Sequence, residues 1–152
     1  MAKPKVFIAY GNYNNSFIFT RLISFWIKKT EKLMLLNFHT SANNNLNVMP
    51  SVPNPFIELI NCNDINEGLL TQNKSDGLIL FHDNQIADSL FKESIMMGKP
   101  VVSIETNLTS KLLSQEFILN EDNLEEILNF FTENIFKINI SAITHHFKEH
   151  FV

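Results

Sequence analysis

The chain has 152 residues, 45% of them hydrophobic and 18% charged, with a formal net charge of −4. This length and balance suit one packed domain and exclude a disordered polar tail. The acid excess excludes a surface that wraps nucleic acid electrostatically, so any RNA contact has to be local, and the single cysteine, Cys62, excludes an internal disulfide and a cysteine-rich zinc site and reads as a buried packing thiol.

Val6 to Tyr10 is a short apolar run ended by Gly11-Asn12, the pattern of a buried strand leaving into a loop. Asn15 or Ser16 caps a helix expected to reach about Lys29, with Phe17, Leu22, Trp26 and Ile27 mostly on one side and Lys28 and Lys29 in the last turn, where the helix dipole favours positive charge. Trp26 reads as core. Lys32 to Phe38 is a second strand; Thr40 to Pro55, rich in Asn, Ser and Pro, is a loop excursion. Phe56 to Ile60 is a third strand, and Asp64 with Glu67 resembles a capping box opening a short helix through Leu70.

Gly77 to Phe81 is the next strand, Ile86 to Met97 its helix and Val101 to Ile104 the strand after that. Thr109 to Gln115 reads as irregular with a turn of helix, and Phe117 to Leu119 as a last short strand. A closing helix follows, capped by Asn120 or Asp122, acidic in its first turns and carrying the stripe Leu124, Ile127, Leu128, Phe131 and Ile135. The segment 137–152, with Ile143 and Phe147 as its apolar positions, is a terminal helix or a partner-ordered tail. Strands that read as unbroken apolar runs between helices predict a three-layer αβα sandwich with a parallel, flavodoxin-like or Rossmann-like sheet, as a single domain over 1–136.

Ligands of such sheets bind beyond the carboxyl ends of the strands. Gly11, Asn12 and Asn14 stand there after the first strand, His82, Asp83 and Asn84 after a later one, and Glu105, Thr106 and Asn107 after the next. Gly11 is alone where a dinucleotide turn wants three spaced glycines, and no Gly-Lys-Ser/Thr phosphate loop is present, so no cofactor is expected. His145-His146 is a vicinal pair, poorly placed for chelation on a helix, and no metal site is expected. Glu93, on the helix after a late strand, is the one carboxylate an enzymatic reading can use. A chain that opens VFIAYGNYNNSF and carries such a glutamate is similar to the Toll/interleukin-receptor-like domains and the nucleoside deoxyribosyltransferases, which implies nucleotide or nucleoside cleavage with Glu93 catalytic. The competing reading is a structural glutamate at a helix boundary.

From Asp76 onward the spacing is more distinctive. A strand runs out at Asp83, Lys92-Glu93 follows, then Gly98-Lys99-Pro100, Glu105-Thr106-Asn107 and Asn120-Glu121-Asp122. This series resembles the second-numbered protein family of the small ribosomal subunit, with its Asp, Lys-Glu, Gly-x-Pro, Asp-Thr-Asn and helix-capping Asn-Asp-Asp, about one residue being deleted before Glu105. The amino-terminal KVFIAYGNYNNSFIFTRLISFW agrees more loosely. The family's Arg-Trp-leucine segment has become NFHTSANNNLN, and the interval from Asn47 to Asn73 is too short for its helical hairpin. The resemblance implies a structural, non-catalytic protein that binds small-subunit ribosomal RNA and neighbouring ribosomal proteins, with no small-molecule substrate. Arg21, Lys28, Lys29 and Lys32, clustered around a helix end, are the candidates for RNA phosphate contact. Twenty Asn and fourteen Phe against four Gly and one Arg look like adenine- and thymine-rich coding, which fits an organelle, here taken as the mitochondrion. No apolar run approaches the roughly 18 residues of a bilayer crossing, and with a strand expected by Lys5 no import or signal segment and no membrane association are expected.

Overall fold

Six short apolar runs become the six strands of one parallel sheet in the computed structural model, which describes residues 5–11, 16–38, 54–62 and 74–140. β1 (Val6–Tyr10) lies between β2 (Lys32–Phe38) and β4 (Gly77–Leu80), with Ile8 opposite both Met34 and Leu78. Outward on one side comes β3 (Ile57–Cys62), and on the other β5 (Val101–Ile104) and β6 (Ile118–Leu119), giving the order β3-β2-β1-β4-β5-β6. This is the doubly wound order in which the chain starts at the centre, builds outward, then returns and builds the other way. The switch point falls between β1 and β4.

The central strands are continuous apolar runs because both of their faces are covered. Every residue of β4 is buried, as are Phe7 to Tyr10 of β1. Alternation sends Phe7 to one face, where its ring meets Trp26 of α1 (Ser16–Ile27) edge-on at 5.3 Å between centroids and Phe131 of α4 (Leu124–Glu133) at 5.8 Å. Right-handed crossovers in opposite directions from the centre place α2 (Gln85–Met96) and α3 (Asn107–Leu112) on the face opposite α1. Helix α4 comes back beside α1, tied to it by Arg21–Glu125 at 3.6 Å and Lys29–Glu133 at 4.0 Å. The result is the expected three-layer α/β architecture.

Local chemistry explains where the elements stop. Helix α2 is opened by Asn84, whose side chain accepts from the Ala87 N–H at 2.7 Å, and closed by Gly98 in the left-handed region at φ 75°. There Gly98 N–H donates to Ile95 C=O at 3.0 Å and Lys99 N–H to Ser94 C=O at 2.8 Å, the paired bonds of a Schellman motif. Pro100 cannot continue the helix, and its carbonyl instead accepts from Leu78 N–H at 3.0 Å to begin the β4–β5 ladder. Asp76 fixes the other flank of β4: its carboxylate accepts from Val6 N–H at 2.8 Å while its own N–H donates to Val6 C=O.

Several boundaries differ from those expected. β4 ends at Leu80, because Phe81, although its N–H still donates to Tyr10 C=O at 2.9 Å, turns into the loop. Residues 107–112 are a true helix, held by the Thr106 cap. Phe117 belongs to a 3-10 turn, Gln115–Phe117, and only Ile118 and Leu119 pair with β5. The N-cap of α4 is Asn123 rather than Asn120 or Asp122, since Asn120 forms a turn of its own in which its side chain accepts from the N–H groups of Asp122 and Asn123. Residues 135–137 form a 3-10 turn that extends the packing, with Ile135 buried. Asn12, Asn14 and Asn15, the side chain of Cys62, the residues of the Asp64–Leu70 helix, nearly all of the 40–55 excursion, and Ile143, the His145-His146 pair and Phe147 lie outside those described.

Candidate functional site

A doubly wound sheet presents its binding crevice at the carboxyl ends of the strands flanking the switch point. In this chain those ends are Tyr10-Gly11 after β1 and Phe81 to Asn84 after β4. Tyr10 is 1% exposed, and its hydroxyl accepts a hydrogen bond from Asn84 Nδ2 at 2.7 Å, so the residue that caps α2 also ties β1 to the β4 loop. Burial pushes the Tyr10 phenol up to about 12, the bond from Asn84 offsetting only part of that. His82 stands edge-on to Tyr10 at 6.3 Å between centroids, and burial lowers its pKa against the opposing pull of Asp83. Asp88, one turn into α2, is raised by burial and then by repulsion from Asp83, with Lys92 opposing.

Phe81 closes the same rim. A Cβ on Gly11 would lie 2.3 Å from the Phe81 ring, which is itself buried and packed against Phe19 of α1 at 6.1 Å between centroids. Gly11 therefore has a packing reason to be glycine, since a side chain there would have to displace the Phe81 ring. The next strand end is committed as well. Thr106 and Thr109 form a reciprocal capping box, with bonds of 2.8 and 3.0 Å, and the Thr109 hydroxyl donates onward to Ile104 C=O at 2.9 Å. Glu105 and Asn107 beside them are exposed. Described side chains thus fill or cap the rim from β1 to β5, and its ionisable groups near α2 are mainly the two carboxylates Asp83 and Asp88.

Glu93 is not at this rim. Helix α2 runs from the carboxyl end of β4 towards the amino end of β5, and Glu93 is nine residues beyond the cap Asn84, about 13 Å down the axis at 1.5 Å per residue. It is half-buried in the last turns, and its carbonyl accepts from Met97 N–H at 2.9 Å.

The four cations nominated for RNA are spread along one flank and largely opposed by carboxylates. Arg21 bonds to the Glu121 carbonyl and pairs with Glu125; Lys29 pairs with Glu133 and lies 5.1 Å over the Phe25 ring; Lys32 pairs with Glu58 of β3 at 3.8 Å. Lys28 is exposed and makes no ion pair with the described residues. The sequence hides this arrangement, because the opposing glutamates come from helix and strand segments 26 to more than 100 residues away. The Tyr10–Asn84 bond is hidden for the same reason, although Asn84 immediately before a helical run is a readable N-cap signal. Among the described residues no group of three His, Cys, Asp or Glu side chains could hold a metal ion, and no helix is long and apolar enough to cross a membrane.

No protein-family profile and no curated protein sequence matches the chain. Among solved structures it is similar to a uronate dehydrogenase from Agrobacterium tumefaciens, a mutant complexed with NAD, with a TM-score of 0.50 and 16% identity over 88% of this chain. The chain spans about half of that protein, 55% of its length. At this identity the likeness bears on the fold alone, and the shared fold is the Rossmann-like parallel sheet.

Proposed function

We propose that the protein is a structural component of the small subunit of an organellar ribosome, resembling its second-numbered protein family, with the mitochondrion as its compartment. The observation that carries the reading is the ordered series Asp83, Lys92-Glu93, Gly98-Lys99-Pro100, Glu105-Thr106-Asn107 and Asn120-Glu121-Asp122 within one β-α-β-α-β unit. The structure gives several of these anchors a physical role. Gly98 supplies the left-handed helix terminus, Pro100 starts β5, Thr106 caps α3 and Asn120 forms the turn before α4. Such roles belong to any fold of this kind, so the specific support lies in their order and intervals.

Two features favour a binding role over catalysis. Among the described residues Phe81, Tyr10 and Asn84 occupy the rim at the switch point, and Glu93 stands about two and a half helical turns away from it, at 3.6 residues per turn. Contact with ribosomal RNA would use Lys28 directly, while Arg21, Lys29 and Lys32 would exchange a carboxylate for a phosphate. Exposed ion pairs contribute only about 0–1 kcal/mol, so that exchange is accessible.

The test is company. Organellar small subunits purified through a salt wash should contain the protein in stoichiometric amount. The isolated protein should leave nicotinamide dinucleotide, nucleosides and sugar nucleotides intact. Absence from ribosomes together with a cleavage activity abolished in Glu93→Gln would reverse the reading in favour of the enzyme.

A further inference from the structure

Helix α4 buries Leu124, Leu128 and Phe131 against the sheet, and the neighbouring flank of the same helix remains apolar. Phe130 is 53% exposed, Ile127 is half-buried beside it, and Phe136 just beyond the helix is 68% exposed. The Gln115–Phe117 turn forms the opposite wall, with the buried Phe117 meeting the Phe130 ring at 6.2 Å between centroids. Two adjoining hollows of about 370 and 310 Å³ share Glu116, Phe117 and Phe130 and form a groove along the helix. Large apolar rings held open beside a hollow are what a hydrophobic anchor needs.

The charge around the groove selects its occupant. Residues 115–139 carry six carboxylates and one lysine, so this stretch is more negative than the whole chain at −4 and the remainder is slightly positive. Glu125 and Glu133 pair with α1, whereas Glu116, Glu121, Asp122 and Glu126 are exposed and make no ion pair with the described residues. Glu116 and Glu126 line the first hollow, and Glu116 and Lys137 the second, so the acidic end of the groove is the one beside Glu126. Such a rim repels RNA and anionic lipid. It also disfavours a second copy of the chain, because a two-fold contact would set the same carboxylates against each other.

We infer that this groove is a docking surface for a helical segment of a basic protein, one that inserts aliphatic or aromatic anchors beside Phe117 and Phe130 and sets lysine or arginine against Glu116 and Glu126. The mode is helix in groove, with anchors at i, i+3 or i+4 and i+7. The inference does not rest on the ribosomal assignment. A protein that binds such a helix but never sediments with ribosomal subunits would overturn that assignment and leave this surface standing.

The experiment uses the full chain and a fluorescent synthetic amphipathic helix with leucine anchors and a lysine- and arginine-rich opposite face. Fluorescence anisotropy should show saturable binding that Phe130→Ser and Glu126→Lys each weaken tenfold or more, while Met96→Ser, an exposed apolar site on α2, changes nothing. Both Phe130 and Glu126 are exposed, so these variants should keep the wild-type circular dichroism and melting curve. A peptide with the same charges and serine for leucine should fail to bind. The surface is refuted if the peptide does not bind, if Phe130→Ser binds it as well as wild type does, or if the chain self-associates through Phe130. Binding that appears only in Phe147→Ser would assign the groove to the protein's own carboxyl-terminal segment and equally refute the proposal.

Discussion

Tyr10 shows how one side chain links strand, helix and pH response. Its hydroxyl is buried against Asn84, and its pKa rises to about 12 mainly through burial. An unfolded phenol ionises near pH 10, so the folded state holds the proton longer than the unfolded one. Stability from this group is fully present below about pH 10 and is lost as pH rises towards about 12, a change of roughly 2 kcal/mol. Urea midpoints should therefore fall more steeply between those limits in wild type than in Tyr10→Phe. Equal slopes would place the phenol in water. At neutral pH, Tyr10→Phe should cost about 1 kcal/mol, the net worth of one hydrogen bond, with Asn84 left short of a partner.

The elements are held by a few residues whose environments rank their importance. Leu80 is 2% exposed in a central strand, so Leu80→Ala should cost about 2–5 kcal/mol in chemical denaturation. Ile104 is only half-buried, and Ile104→Ala should cost clearly less; an equal loss would mean that the β5 end is closed off by residues beyond those described. Gly98 tests the end of α2. A Cβ there meets nothing within 4 Å, so any penalty for Gly98→Ala comes from the left-handed backbone alone, about 1–2 kcal/mol. Thr106→Ala should lose a similar amount with the capping box, and Thr106→Ser should restore most of it.

For the whole molecule the distribution of charge matters more than its total. The carboxyl-terminal flank is acidic, while Arg21, Lys28, Lys29 and Lys32 lie on and next to α1, three of them facing carboxylates. If these cations contact ribosomal RNA, replacing all four by alanine should weaken subunit association and flatten its salt dependence, each lost phosphate contact lowering the slope by roughly one. Lys28→Ala should account for the largest single share, because among the described residues Lys28 has no carboxylate to exchange. Deleting 137–152 should weaken association with little change in slope. A fourfold variant that assembles normally at every salt concentration would move the RNA-facing surface elsewhere.

The sequence by itself determined the central strands and the class of fold. Short unbroken apolar runs between turn signals fit strands covered on both faces, and the Gly98-x-Pro100 signal acts within a few residues, so these are legible without tertiary information. The helix that Thr106 caps, by contrast, reads in the sequence only as an irregular stretch with a turn of helix. The expected parallel neighbours among Val6–Tyr10, Leu33–Phe38, Gly77–Phe81 and Val101–Ile104 are present, with Phe81 outside the strand. What only the tertiary structure decided is which distant residues meet. The ring of Phe81 over Gly11, the bond from Asn84 to Tyr10 and the glutamates opposing Arg21, Lys29 and Lys32 each join residues 26 to about 100 positions apart. Local pattern carries no signal for such pairs, because they are set by strand order and helix packing. Three of the four clustered cations thus became members of ion pairs, and a helix that reads as one apolar stripe carries a second flank that the described residues leave exposed.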